Sequence, residues 1–352
     1  MKKITAFSVA FLLLGIYLIA VNGDWMGKIY NSGYFPNINQ YGDLYKFSSL
    51  KKFKIQTQFP YLDKKGYYWC EPDSTPHPEK VKNTLLYIIG DSFTAPIIMT
   101  PDMFASEYFT HHHIYFPPTT IAVDSNHRNI LIIEVVEKHL PICFGKSGTF
   151  STEKLTQVRS LKQKIGDRVL KPVDNKITNQ NLEYLLFSYP VFDGIKETKA
   201  AFNKNIFGKT DVNVSLSRDE SNLLHIDESD TLHAGSSFEK ISNSKIDSLV
   251  SSINEAYLRY KNMGFDEIYL SLIPNKTSIV APDLFTYNHI IERIQHHPAL
   301  KIPVIDVYSM LKSQHSEKKP LYHPSDIHWN CMGRNFWLNY VNNQIVKREK
   351  EQ

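Results

Sequence analysis

The sequence is short of cysteine, of net charge and of repetition, and each shortage removes a class of function. Its three cysteines, Cys70, Cys143 and Cys331, stand far apart among 352 residues. No CxxC occurs and zinc-ligand spacing is absent, so neither a structural zinc site nor a dithiol redox centre is built in. With 40 basic and 36 acidic residues the net charge is only +4. No basic stripe interleaved with aromatics stands out, which leaves nucleic-acid binding without support. Hydrophobic residues nevertheless make up 42% of the chain, with 20 Tyr and 20 Phe. That content argues for a packed globular body.

One long apolar run is present. Lys2 and Lys3 precede Ile4 to Val21, 18 uncharged residues centred on Leu12-Leu13-Leu14. This is the short end of a membrane-spanning length. Small residues in an A-x-A pattern are missing around Ala20 to Gly23, so residues 1–22 read as a retained membrane anchor in preference to a cleaved signal. The lysines then stay in the cytoplasm and the rest of the chain faces the periplasm or cell surface. In that compartment one cysteine pair can form a disulfide and leave one thiol free. The pair stays open, and Cys331 reads as a buried inert thiol.

Residues 23–83 read as a linker and an irregular segment wrapped on the domain. From 84 to 347 apolar runs alternate with helical periodicity, predicting an α/β fold with a mostly parallel sheet. Strands are expected at Leu85 to Gly90, within Ile114 to Val123, at Asn129 to Val136, at Glu267 to Ile273 and at Val304 to Tyr308. Helices are expected at Leu155 to Val169, Phe238 to Met263 (closed by Gly264), Leu284 to Ile294 and Asn330 to Lys347. Residues 172–238 turn polar and read as an insertion carrying a hairpin near Val212 to Leu216.

The chemistry is carried by two stretches. Leu85-Leu86-Tyr87-Ile88-Ile89 ends at Gly90-Asp91-Ser92-Phe93, a glycine turn that lifts a serine hydroxyl from the carboxyl end of a buried strand. Asp91 or Ser92 would cap a helix running on to Met99. A serine hydroxyl needs an adjacent base, and Asp326-Ile327-His328-Trp329-Asn330 offers one. Asp326 and His328 are two apart in a Pro-flanked loop, a spacing that puts both on one side of an extended chain. The carboxylate can then fix the imidazole tautomer. Ser92, His328 and Asp326 supply the parts of a nucleophilic triad.

Several neighbours have quieter readings. Trp329 is expected to pack, and Asn330 to tie down the loop or cap the last helix. His111-His112-His113 reads as a polar loop rather than a metal site. Glu134 and Glu137 read as one buried hydrogen-bonded Glu and one surface Glu. Asp306 is a strand-end residue, in reserve for orienting His328. No metal and no cofactor are expected.

These two motifs resemble the SGNH (GDSL-type) hydrolase superfamily, and the Asp-x-His-Trp form is most similar to its polysaccharide O-acetyltransferases, such as the alginate acetylation proteins. The likeness covers both motifs and the core from about 84 to 170 and 240 to 345. It implies a three-layer α/β/α fold and a serine nucleophile acting on acyl esters, with Ser92 as nucleophile, His328 as base and Asp326 as orienting acid. The chain departs from the pattern in three places. The alginate acetylation proteins carry Asp-x-His-Trp ahead of the serine, whereas here the serine comes first. Ordinary SGNH hydrolases place the Asp three residues before the His, a position held here by Ser325. No Gly-x-Asn-Asp block follows the 129–136 strand, so the oxyanion donors are sought in the Ser92 and Gly90 amides and in Asn275.

The expected activity is transfer of an acyl group, acetyl above all, from a donor to an envelope or secreted polysaccharide. A membrane partner that delivers the acyl group is compatible with the anchor. A carbohydrate acetylesterase uses the same residues, and a non-catalytic glycan-binding or assembly protein is the reading from another class.

Overall fold

The computed structural model describes residues 2–32, 41–54, 75–96, 98–146, 148–150, 175–187 and 189–349. Its centre is a five-stranded sheet of β1 (Val81–Gly90), β2 (Ser106–His113), β3 (Arg128–Val136), β6 (Glu267–Ile273) and β7 (Val304–Ile305). The spatial order is β2-β1-β3-β6-β7, and every neighbouring pair is parallel. Every residue of β6 is buried, as is every residue of β3 after Arg128. Continuous apolar runs suit strands covered on both faces, which is why these two were readable from sequence.

The edges are different. No strand forms within 114–123; β2 lies earlier and ends in His111, His112 and His113, so the expected polar loop is the end of a strand. An edge strand tolerates polar side chains because only part of it is covered. At the other edge β7 has two residues, because Asp306 Oδ1 accepts from Ser309 N at 3.0 Å and starts a helix there.

Among the helices, α1 (Lys2–Val21) forms where the apolar run predicts. Asn22 Oδ1 then accepts from Asp24 N and Trp25 N and starts α2 (Gly23–Asn31). No single described helix is long and apolar enough to cross a membrane; Phe7–Val21 and Gly23–Ile29 qualify only as a pair, bent by 95°. The insertion contains α3 (Asn175–Phe187), α4 (Asp193–Phe207) and an antiparallel hairpin of β4 (Val214–Leu216) and β5 (Leu223–His225). The helix expected at 155–169 lies outside the described residues.

Next, α5 (Asn243–Lys261) is capped by Ser242 and buries Ile246, Leu249, Val250, Ile253, Ala256 and Tyr260, a stripe at helical spacing. Gly264 follows it with φ +101°, which a side chain would strain. The helix expected from Leu284 shrinks to α6 (Ile290–Gln295), because His289 before it is left-handed at φ 54°. The chain ends in α7 (Val307–Ser316) and α8 (Cys331–Glu349). Helices α5 and α6 pack together on one side of the sheet, α7 and α8 on the other. Trp337 of α8 is fully buried and its Nε1 donates to Ser271 Oγ of β6 at 3.0 Å.

Cys143 is free and buried, whereas Cys331 is disulfide-bonded rather than an inert thiol. Cys70 lies outside the described residues.

Candidate active site

The carboxyl ends of β1, β3 and β6 deliver the polar residues to one end of the sheet, where parallel α/β folds place their ligands. After Gly90 the chain makes a tight turn instead of the expected helix: Asp91 Oδ1 accepts from Phe93 N at 2.9 Å and Thr94 N donates to Asp91 O at 3.3 Å. Pro96 cannot donate into a helical ladder, which keeps this stretch in turns. Ser92 stands exposed at the apex between buried Asp91 and Phe93.

Glu134 anchors the turn from below. Its Oε2 accepts from Asp91 N at 2.9 Å and from Thr94 Oγ1 at 2.8 Å. A Cβ on residue 90 would stand 2.2 Å from Thr94 Oγ1 and 2.6 Å from Glu134 Oε2, so only glycine lets these groups close. Gly90 therefore contributes room for the turn to close. Burial, aided by the charge of Asp91, holds the Glu134 carboxyl well above the usual range. Glu137 is fully buried as well, not on the surface; its Oε2 accepts from Asn275 N and Ser278 Oγ.

Asn275 is committed elsewhere. Its Oδ1 accepts from Lys138 N, and its Nδ2 donates to Gly235 O and Ser237 Oγ, in a fully buried position. It is a joint between strand ends and does not present a donor to the serine.

The histidine loop folds back on itself through the Tyr322–Trp329 bridge, and His323 N donates to His328 O at 3.3 Å. Asn330 does both things expected of it. Its Nδ2 donates to Pro320 O, and its Oδ1 caps α8 by accepting from Met332 N and Gly333 N. Trp329 is buried, its ring 5.2 Å from Phe93 and 5.9 Å from Trp337, a packing role. Asp306, occupied as the α7 cap, takes no part.

This packing brings the three sequence candidates together across 236 residues. Ser92 Oγ lies 2.8 Å from His328 Nε2, and His328 Nδ1 lies 2.7 Å from Asp326 Oδ1. The same Asp326 oxygen accepts from His328 N at 2.9 Å, so the carboxylate fixes both the ring and its backbone. Burial would raise the Asp326 carboxyl, but the charge and hydrogen bond of His328 outweigh it and hold the acid well below its ordinary range. Burial disfavours the imidazolium, yet the charge and hydrogen bond of Asp326, with Asp43 behind them, raise His328 to about 9.

Three contributors were not found by sequence reasoning. Asp43 comes from the irregular N-terminal segment: its N–H donates to Asp326 Oδ2 at 2.9 Å and its Oδ2 lies 3.7 Å from His328 Nδ1. Gly42 beside it has φ +94° and lies so close that a Cβ would meet Ser325 O at 2.3 Å, while Leu44 N donates to that same oxygen. Lys276, fully buried at the start of a short helix after β6, donates through Nζ to the carbonyls of Leu223, His323, Pro324 and Asp326. Burial pulls its ammonium down to about 7. The third is His139, whose Nδ1 lies 3.1 Å from Asp91 Oδ2. Burial would raise Asp91, but this imidazole and the Phe93 N–H outweigh it and hold the carboxyl below its usual range.

Among the described residues, Asp43, Asp326 and His328 also form a group close enough to hold a cation. Both Asp326 oxygens, however, already accept N–H donors, which suits orientation of the imidazole better than metal ligation. Comparison with protein-family models, with curated proteins and with solved structures finds no match to this chain.

Proposed function

We propose that this chain is a serine-dependent O-acyltransferase, of acetyl groups above all, that modifies a cell-envelope or secreted polysaccharide through an acyl-serine intermediate. The observation that carries the reading is the 2.8 Å approach of Ser92 Oγ to His328 Nε2, with Asp326 on the other ring nitrogen. The likeness of the Gly90-Asp91-Ser92 and Asp326-Ile327-His328-Trp329 stretches to the SGNH superfamily supports it, and the apolar α1 behind two lysines supports an extracytoplasmic, membrane-tethered placement.

In this mechanism Ser92 Oγ attacks the acyl carbonyl while His328 Nε2 takes its proton. The imidazolium then protonates the departing alcohol of the donor and leaves an acyl-Ser92 ester. A sugar hydroxyl attacks next, losing its proton to His328, and Ser92 is restored when that proton returns. Asp326 stays ionised throughout, and Asp43 adds a second negative charge beside the imidazolium. The Ser92 N–H at the exposed turn is the donor assigned to the developing oxyanion.

One observation favours a second reading: Ser92 is exposed, so water can compete with a sugar for the acyl-enzyme. An acetylesterase acting on envelope glycans is the alternative. The deciding experiment treats the full detergent-solubilised chain with a serine-directed phosphonylating probe and reads intact mass, alongside Ser92→Ala and His328→Ala. One adduct that maps to Ser92 and is lost in both variants is expected; no adduct on folded protein sinks the proposal. Acetate release that ignores added glycan acceptor would select the esterase.

A further inference from the structure

Helix α4 is inverted for a helix resting on a protein. A surface helix normally turns its apolar stripe to the core, yet no residue of Asp193–Phe207 is buried. Apart from Ala200, the side chains that meet the body are polar instead. Tyr45 OH donates to Glu197 Oε1 at 2.9 Å, and Lys54 Nζ lies 2.7 Å from Asp193 and 3.0 Å from Glu197. Lys204 pairs with Glu220 on the hairpin turn. Ile195, Phe202 and Ile206, at a spacing that keeps them on one helical face, point away and are 67%, 56% and 62% exposed. Val191 in the preceding turn and Phe207 at the helix end extend the patch, and the exposed Lys199 and Lys209 flank it.

The position of this patch matters as much as its composition. Asn181 Nδ2 of α3 donates to Ala20 O at the end of α1, at 2.7 Å. Helix α3 is joined to α4 by the Glu183–Lys196 pair at 3.4 Å and to its leading turn by the Phe187–Phe192 rings at 5.4 Å. Through α3, helix α4 is thus tied to the end of α1, along which Phe7, Phe11, Leu12, Leu13 and Leu18 are exposed. There the chain bends by 95° into α2, which shows half-exposed Trp25, a residue type suited to the headgroup level.

We propose that α4 lies flat on a lipid bilayer, with Ile195, Phe202 and Ile206 sunk into the headgroup boundary and the flanking lysines on anionic headgroups. A basic rim around an apolar stripe is the pattern of an interfacial helix, and the tie to α1 selects lipid over a protein partner. The assignment is independent of the chemistry at Ser92. It also gives the insertion a purpose, since α4 grips Tyr45, two residues from Asp43.

The test uses the full chain in nanodiscs of mixed zwitterionic and anionic phospholipid, with a fluorophore on Phe202→Cys and quencher groups carried by the lipids. Cys143 is buried, so labelling falls on the new thiol. Loss of fluorescence is expected at position 202 and none at a control, Ser251→Cys, on an exposed site of α5. Adding Ile195→Ser and Ile206→Ser should abolish the quenching at 202 while circular dichroism stays unchanged. An unquenched probe on folded protein overturns the proposal, as does quenching that persists in the serine variants. Protection of the label in native membranes but not in pure lipid would replace the bilayer with a protein partner.

Discussion

The serine turn and the histidine loop meet at 2.8 Å, yet opposite chemistry holds each in place. The turn after β1 presents backbone and hydroxyl donors, and a buried acid, Glu134, collects them. The loop before α8 presents carbonyls, and a buried amine, Lys276, donates to three of them and to Leu223 O of β5. Each half exposes one kind of unmet polar group to a dry interior, and each is matched by a single side chain of the complementary kind. The halves differ in what failure costs. Glu134 accepts through a single oxygen that another acceptor can replace, whereas Lys276 ties a whole loop.

The largest effect that bears on this contrast belongs to the triad itself. Asp326→Asn should lower kcat for acyl transfer by about 10³–10⁴-fold, because the amide stabilises the wrong tautomer and no imidazolium; steady-state kinetics would show it. Next comes Lys276→Met, which strands carbonyls that water cannot reach and should destabilise the fold by about 3–5 kcal/mol in urea unfolding. Glu134→Ala should cost less, about 1–3 kcal/mol, while Glu134→Gln keeps an acceptor and should be nearly neutral. If Glu134→Gln proved as damaging as Lys276→Met, the contrast between the halves would fail.

The smallest and most informative effect is on pH dependence. His328 must be neutral to act as base, so kcat/KM should rise with pH toward about 9. Since its folded value is raised, its contribution to stability is complete below the ordinary histidine value near 6.5 and is lost as pH rises through about 9. Asp43→Asn should shift the rate limb acidward by about one pH unit, a change that a purely structural role would not produce.

The sheet interior was legible because β3 and β6 are buried on both faces and their sequences are mostly apolar from end to end. Ser92, His328 and Asp326 were legible because a glycine turn after a strand and an Asp-x-His pair are local patterns. The edge strand β2 was not, because its histidines carry no periodic signal. Asp43 and Lys276 were hidden for a different reason. A carboxylate in an irregular segment and an amine just past a strand acquire meaning only from what lies across the fold from them.

The clasp of Asp43 on Asp326 joins residues 283 positions apart. During synthesis the first partner leaves the ribosome long before the second exists. At about 5–20 residues per second that interval is roughly 15–55 s. For most of it Ser92 is already made while His328 and Asp326 are not. Under the proposed serine chemistry, a nascent fragment that ends before His328 is therefore expected to be inert, and reactivity would switch on only when the histidine loop has been made and packed.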